Sequence, residues 1–242
     1  MILTLASVSL RGLLNRRRTL LLGLFGALVV LVAVLFQLAD QPEDESLAFT
    51  GQLLGNFGLA VLLPVVAVIV GSAAIGSELD DGTIIYLLAK PIRRGLVALV
   101  KAVVAWVIVM LLVSPAILVA GVVARGGDAD LGVAYAVAAG FGALEYTAVF
   151  LALSLVTSRA LVVGLAYVVI WEGAVAGLFE GTRILSVRQH ALAIADAIGG
   201  EGAIEAPLEL GPALVVGLLV TVVAVVIAIR RLERVELRGE TG

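Results

Sequence analysis

The chain of 242 residues is 62% hydrophobic and 14% charged, with a net charge of −3 and no cysteine. A mean hydropathy of +1.16 excludes a water-soluble domain, which would have to expose large apolar surfaces. The lack of cysteine excludes disulfides and thiolate chemistry. Apolar runs of about 20 residues recur along the chain, each long enough to cross about 30 Å of hydrocarbon as a helix. Because these runs show no period-two alternation, we expect an all-α polytopic membrane protein.

Residues 1–18 predict an interfacial amphipathic helix. Their polar residues recur at helical spacing, namely Thr4, Ser7, Arg11, Asn15 and Arg18. Such a stripe lets a helix lie on the membrane with its arginines toward anionic headgroups. A signal peptide is the alternative, but the apolar run that follows is longer than a signal peptide needs and has no cleavage site after it.

Six transmembrane helices follow from the apolar runs. They are predicted at about 20–39, 56–76, 97–123, 132–156, 160–179 and 211–229, in a single transmembrane domain over 1–242. Pro64 and Pro115 each remove a backbone hydrogen bond and predict kinks in spans two and three. The short link Thr157-Ser158-Arg159 makes spans four and five antiparallel neighbours. Residues 180–210, the longest segment between spans, are expected to hold a short, half-buried helix.

The distribution of basic residues predicts the orientation. If the N-terminus is cytoplasmic, thirteen of the sixteen Lys and Arg residues lie on the cytoplasmic side, and only Arg125, Arg183 and Arg188 lie outside. Cytoplasmic loops of membrane proteins carry this excess. We therefore predict cytoplasmic N- and C-termini, a cytosolic segment at 77–95 and an external segment at 180–210.

Several kinds of enzyme are disfavoured by the residues present. The chain has no G-x-x-x-x-G-K-[ST] phosphate loop, and its single histidine, His190, has no His or Cys partners for a metal site. An intramembrane protease would need His190 beside Ser114 or Ser154, which are predicted at other depths. His190 is instead expected to be a polar residue on a surface helix. We predict no catalytic, metal or cofactor site in this chain and no nucleic-acid partner.

The densest motif is the polar stretch from Ser77 to Arg94, SELDDGTIIYLLAKPIRR. Asp80 and Asp81 could bind a cation in isolation, but carboxylates at a helix start more often interact with its exposed N–H groups and the positive end of its dipole. With Gly82 and Thr83 opening the turn, we expect the two acids to cap a helix start. The order of acid, Gly-Thr, apolar pairs, proline and arginine resembles the first cytoplasmic loop of ABC transporter permeases of the type-2, export-class family. The amphipathic N-terminus, the six spans and the larger segment before span six resemble that family as well.

The resemblance implies a coupling helix that docks into a separate cytosolic ATP-binding cassette ATPase, which uses Mg-ATP. It also implies a pathway formed by two permease subunits, expected to be a homodimer, in a prokaryotic plasma membrane among membrane lipids. Glu78, Gly82 and Thr83 would set the turn and the helix start. The other residues implied are the apolar contacts Ile84, Leu87 and Leu88, the stop Pro91 and the closing Arg94.

Two acids lie inside the apolar runs. Glu145 in span four and Glu172 in span five are predicted at similar depth, about 18–21 Å from the cytoplasmic end. Intramembrane carboxylates are costly and face protein or water. They predict either a polar patch on a transport path, with proton sensitivity, or a structural role through bonds to Tyr146 or Tyr167.

Two other functions remain open from the sequence. A secondary transporter could be driven by protons through Glu145 and Glu172, although no clear internal repeat supports it. Alternatively, the chain could anchor an ATPase to the membrane without moving a solute. Our prediction is the permease of an ATP-driven exporter that performs no covalent chemistry itself.

Overall fold

A computed structural model of the chain describes residues 2–13, 16–39, 42–82, 93–200, 204 and 206–234. In these ranges the chain contains helices and no strands, and six helices are long and apolar enough to cross a membrane. The all-α polytopic membrane fold is therefore confirmed. The six spans are Arg17–Gln37, Glu45–Leu79, Arg94–Ala124, Asp130–Val156, Ala160–Leu178 and Leu210–Glu233.

Several spans are built from more than one helical segment. The segments in chain order are Ile2–Leu13, Arg16–Gln37, Glu43–Gln52, Leu53–Leu62, Leu63–Asp80, Arg94–Ala124, Asp130–Val156, Ala160–Ala166, Tyr167–Val175, Ala176–Leu178, Glu180–Leu185, Val187–Gly199 and Leu210–Glu233. Leu53–Leu62 and Tyr167–Val175 are π-helical, and Glu180–Leu185 is a 3₁₀-helix. All the others are α-helical.

The helix Ile2–Leu13 packs against span three. Ser9 and Leu13 of this helix are buried, whereas Ser7 and Leu10 are exposed. The placement of this helix at the membrane surface remains a prediction.

Span two begins earlier than the sequence predicted. Its helix starts at Glu43 rather than near residue 56, so most of the acidic segment expected to be a loop is helical. Pro42 immediately precedes this helix, and acids in a first turn interact well with the helix dipole. The other five spans begin and end within four residues of the predicted limits.

The two prolines have different local effects. Pro64 is the second residue after the π-helix Leu53–Leu62, whose wider turns relieve the clash between a proline ring and the preceding turn. Pro115, in contrast, lies inside the uninterrupted helix Arg94–Ala124. The kinks predicted at the two prolines stay predictions.

Span four is the centre of the bundle and packs against spans two, three and six. Small residues let its neighbours approach closely. A Cβ added to Gly121 of span three would lie 2.5 Å from the Cα of Gly132, so these two backbones touch. Close approach of this kind is typical of membrane helices, which gain little from hydrophobic burial against one another.

Residues Val187–Gly199 form a helix that enters the bundle, and we call it the inserted helix. Its first turn lies beside Gly142 at mid-depth of span four, and its last residue, Gly199, lies beside Leu131 at the start of that span. The helix predicted within the segment 180–210 is thus present but deeply buried. Its N-terminus is held inside the bundle by polar contacts that periodicity does not reveal.

Candidate functional site

Two groups of polar residues stand out in the bundle. One lies at the end of the bundle where spans two and six end and span three begins, which we call the Arg94 end. The other lies at mid-depth, about 17 Å from that end at 1.5 Å per residue. The opposite end of the bundle, where span four starts, is called the Asp130 end.

Gly82 ends the helix of span two. It has a φ of +67°, a left-handed conformation that glycine adopts without strain. The amide of Asp81 donates to the Ser77 carbonyl (3.0 Å), and that of Gly82 donates to the Leu79 carbonyl (3.3 Å). This arrangement is a helix C-terminus closed by a glycine. Asp80 and Asp81 therefore lie at the end of span two. The helix start that they were predicted to cap lies outside the described residues, so that role stays a prediction.

Glu78 forms an ion pair with Lys101 of span three. The Lys101 Nζ donates to Glu78 Oε1 at 2.6 Å and to the Ala74 carbonyl at 2.9 Å. The lysine side chain is 2% exposed and the glutamate side chain 30%. Because the charge of Lys101 lies inside the bundle, this pair fixes span three against the last two turns of span two.

Arg94 begins span three and donates from Nη1 to the Glu233 carbonyl at the end of span six (3.0 Å). Spans two, three and six are thereby joined on both sides of the segment 83–92. The remaining residues of the resemblance, Thr83, Ile84, Leu87, Leu88 and Pro91, lie outside the described residues. Their roles stay predictions.

Glu145 and His190 form a pair at mid-depth. Glu145 Oε2 lies 2.9 Å from His190 Nδ1, and neither side chain is exposed. The other ring nitrogen of His190 lies 2.9 Å from the Ile184 carbonyl. The prediction that His190 sits on a surface helix is therefore wrong. The inserted helix folds back into the bundle and carries this residue inward.

Both ring nitrogens of His190 face oxygen atoms, one of the Glu145 carboxylate and the other of the Ile184 carbonyl. A protonated imidazole ring can donate to both, because each of its nitrogens then carries a hydrogen.

Glu172 holds the beginning of the inserted helix. Its carboxylate accepts from the Val187 amide (2.9 Å), from the Ser186 hydroxyl and from the Tyr167 hydroxyl (3.2 Å). Ser186 in turn accepts from the Gln189 amide, as an N-cap residue does. Tyr167 and Glu172 are five residues apart on the π-helix Tyr167–Val175, whose i to i+5 pattern brings them together.

Glu145 and Glu172 thus contact the same part of the chain. Glu145 contacts His190, and Glu172 contacts Ser186 and Val187, which precede His190 by four and three residues. We call Glu145, Tyr167, Glu172, Ser186 and His190 the midplane cluster. Span six closes it with a glycine, since a Cβ added to Gly217 would lie 2.6 Å from Glu145 Oε1. An acid in each of spans four and five, a serine, a tyrosine and a histidine therefore meet in the bundle interior.

Sequence reasoning missed the contributions of Lys101, Ser186 and His190. Lys101 was counted only as a cytoplasmic charge, yet it lies seven residues into span three. An ionisable residue within an apolar run is a candidate functional residue, and a polar partner for it is expected in the bundle interior. That rule would have identified Lys101, whereas Ser186 and His190 lie in a segment without such a run.

Residues 14–185, more than two thirds of the chain, match the family model of ABC-2 family transporter proteins. The chain belongs to the ABC-2 transporter family. The matched range contains Glu78, Gly82, Arg94, Glu145 and Glu172 and ends directly before Ser186. No curated protein matches the chain.

This ABC-2 protein is accordingly a multi-pass membrane permease subunit. Permeases of the family are generally non-catalytic, and they generally pair with an ATP-binding cassette subunit. In this permease the Arg94 end is the part where spans two, three and six are joined by polar contacts. The midplane cluster is the polar part of the interior.

Proposed function

We propose that this permease is the membrane subunit of an ATP-driven exporter. Two copies form the translocation pathway, and two copies of a separate cytosolic ATP-binding cassette ATPase bind and hydrolyse Mg-ATP. The Arg94 end faces the cytosol together with both chain termini, in accord with the excess of Lys and Arg at that end. Family membership and the joined spans at the Arg94 end support this proposal.

One observation carries the proposal, the Glu78–Lys101 ion pair. It joins the two spans that flank segment 83–92, with a 2.6 Å contact on a lysine that is almost fully buried. A segment pushed by an ATPase can move the bundle only if the adjoining helices follow as a unit. The ion pair and the contact between Arg94 and span six join these helices so that they can move together.

Close packing offers a route from this end to the interior. Gly71 of span two approaches Phe150 and Thr147 of span four, since an added Cβ would lie 3.1 Å and 3.3 Å from atoms of these residues. Span four then carries Glu145, which binds His190 of the inserted helix. A tilt of span two can therefore reach the inserted helix.

Gly82 provides the test. Proline requires φ near about −65°, so Gly82→Pro cannot keep the φ of +67° that ends span two. Asparagine tolerates the left-handed region, and Gly82→Asn is the matched control. We expect the native chain and Gly82→Asn to co-purify with the ATPase encoded beside this chain and to couple ATP hydrolysis to it. We expect Gly82→Pro to lose either the complex or the coupling.

Absence of any associated ATPase, or full coupling in Gly82→Pro, would contradict the proposed function. The purified native chain in liposomes addresses a second candidate, proton-driven transport, which the buried Glu145–His190 pair favours. Solute movement under a proton gradient without an ATPase would support that candidate. Movement only with the ATPase and ATP would exclude it.

A further inference from the structure

A cavity of about 670 Å³ lies at the Arg94 end between spans one, two, four and five. It is bounded by Arg17 and Arg18 at the start of span one, by the last turns of span two, and by the link between spans four and five. Neither the exporter proposal nor the midplane cluster uses it. Its lining includes arginines and hydroxyl groups, whereas the grooves along span one and between spans four and six are lined by apolar residues.

The charge of this cavity has one sign. Among the described residues that line it, Arg17 and Arg18 are charged and none is acidic. The Arg18 guanidinium is half-buried and donates to the Ile69 carbonyl of span two, which anchors it in the wall. Its Nε is buried without a hydrogen-bond partner among the described residues. Guanidinium groups bind phosphate and carboxylate well because their donors form a planar fork.

Hydroxyl groups line the rest of the polar wall. Those of Ser77 and Ser154 donate to carbonyls of their own helices, at 2.7 Å each. In the part of the chain that the structure describes, the hydroxyls of Ser72, Thr157 and Ser158 have no such acceptor and are left as donors toward the cavity. Two cations with neutral donors around them suit an anion.

An apolar groove continues from this cavity along span one. Leu21 lines both, and the groove then follows Leu24, Phe25, Leu28 and Leu31. The leucines recur at steps of three and four, so they form one face about 15 Å long at 1.5 Å per residue. They are between 51% and 68% exposed. A polar, anion-binding site thus opens directly onto a surface suited to a hydrocarbon chain.

We propose that the cavity binds the phosphate headgroup of an anionic phospholipid from the leaflet at the Arg94 end. Its acyl chain lies in the groove of span one. The arginine pair supplies the charge-assisted bonds, and the three free hydroxyls supply the neutral ones. Because the lipid bridges spans one, two and five, its presence stabilises this end of the bundle.

Native mass spectrometry of the purified full-length chain in detergent tests this site without any ATPase. Phosphatidylglycerol and phosphatidylcholine with identical acyl chains are titrated separately, and glycerol phosphate is added as a competitor without a tail. We expect phosphatidylglycerol to bind at least tenfold more tightly than phosphatidylcholine. We expect glycerol phosphate to compete only weakly, because it cannot use the groove.

Arg17→Gln with Arg18→Gln should weaken phosphatidylglycerol binding at least tenfold. The matched control is Arg230→Gln with Arg231→Gln, which removes the same charge at the same end of the bundle but outside this cavity. Ser158→Trp fills the cavity without changing its charge and gives the same loss of binding even if the arginine variant is not folded. Unchanged binding in the folded cavity variants would overturn the proposal.

Three other outcomes would also overturn the proposed lipid site. Equal affinity for the two lipids, or equal losses in both arginine variants, would mean that diffuse surface charge rather than this cavity attracts the lipid. Glycerol phosphate that competes as well as the lipid would mean a free anion site. Because the measurement uses the chain alone, a failed exporter proposal leaves it unaffected.

Discussion

A lysine inside an apolar helix is stable only if its ammonium group has partners. Lys101 has two, the Glu78 carboxylate and the Ala74 carbonyl, and both belong to the last turns of span two. The two members of the ion pair are unequally buried. Removal of one member or the other should therefore have unequal effects on stability.

We expect Glu78→Gln to lower the free energy of unfolding more than Lys101→Met does. Glu78→Gln leaves a buried cation without its counter-charge, which costs about 3–5 kcal/mol. Lys101→Met leaves a partly exposed carboxylate that water can solvate, with a loss of about 1 kcal/mol or less. Denaturant titration in detergent measures both. Equal losses, or the reverse order, would show that Lys101 is solvated in the native bundle.

At the scale of helices, the inserted helix depends on contacts made by its first turn. The N-terminus of a helix leaves amide groups without partners, and burial makes that costly. Glu172 supplies the acceptor for Val187 and Ser186, and Glu145 binds His190 one turn later. The π-helix of span five positions Glu172 for this role.

We expect Glu172→Ala to release the inserted helix. Because the native chain has no cysteine, Ile194→Cys introduces a single reactive thiol at a position that is 6% exposed. Its rate of reaction with a water-soluble maleimide should rise at least tenfold when Glu172→Ala is added. Glu180→Ala, which removes an exposed acid in the same segment, should leave the rate unchanged. An unchanged rate in Glu172→Ala would mean that apolar packing alone holds this helix.

At the scale of the whole molecule, the excess of Lys and Arg at the Arg94 end sets the expected orientation. The Arg94 end would face the cytosol, and the Asp130 end with the inserted helix would face outside. The coupling proposal depends on this orientation, whereas the lipid site belongs to the leaflet at the Arg94 end whichever side that end faces. Direct labelling of the two ends can establish it.

Two single-cysteine variants test the orientation. Asp128→Cys lies in the exposed link between spans three and four, and Ser158→Cys lies in the exposed link between spans four and five. In intact cells, a membrane-impermeant maleimide should label Asp128→Cys and should label Ser158→Cys only after the membrane is permeabilised. The opposite pattern would place the Arg94 end outside and contradict the exporter proposal.

The sequence by itself determined the number and approximate limits of the spans, because apolar length is a local property of the chain. The sequence also predicted the depth of the two acids, since a fixed rise per residue placed Glu145 and Glu172 at similar levels. The family resemblance was read from the stretch Ser77 to Arg94 and from the arrangement of the spans around it. The described part of that stretch confirms no docking role, but it shows how Gly82 ends span two.

Only the tertiary structure decided which polar residues meet. Glu145 and His190 are 45 residues apart in the chain, and Glu78 and Lys101 are 23 apart. Helical periodicity shows which residues share one face of a helix, but it does not show which residues of different helices form pairs. A buried charge needs a partner, but the identity of that partner depends on how the helices pack. For that reason His190 was expected at the surface and is found inside the bundle.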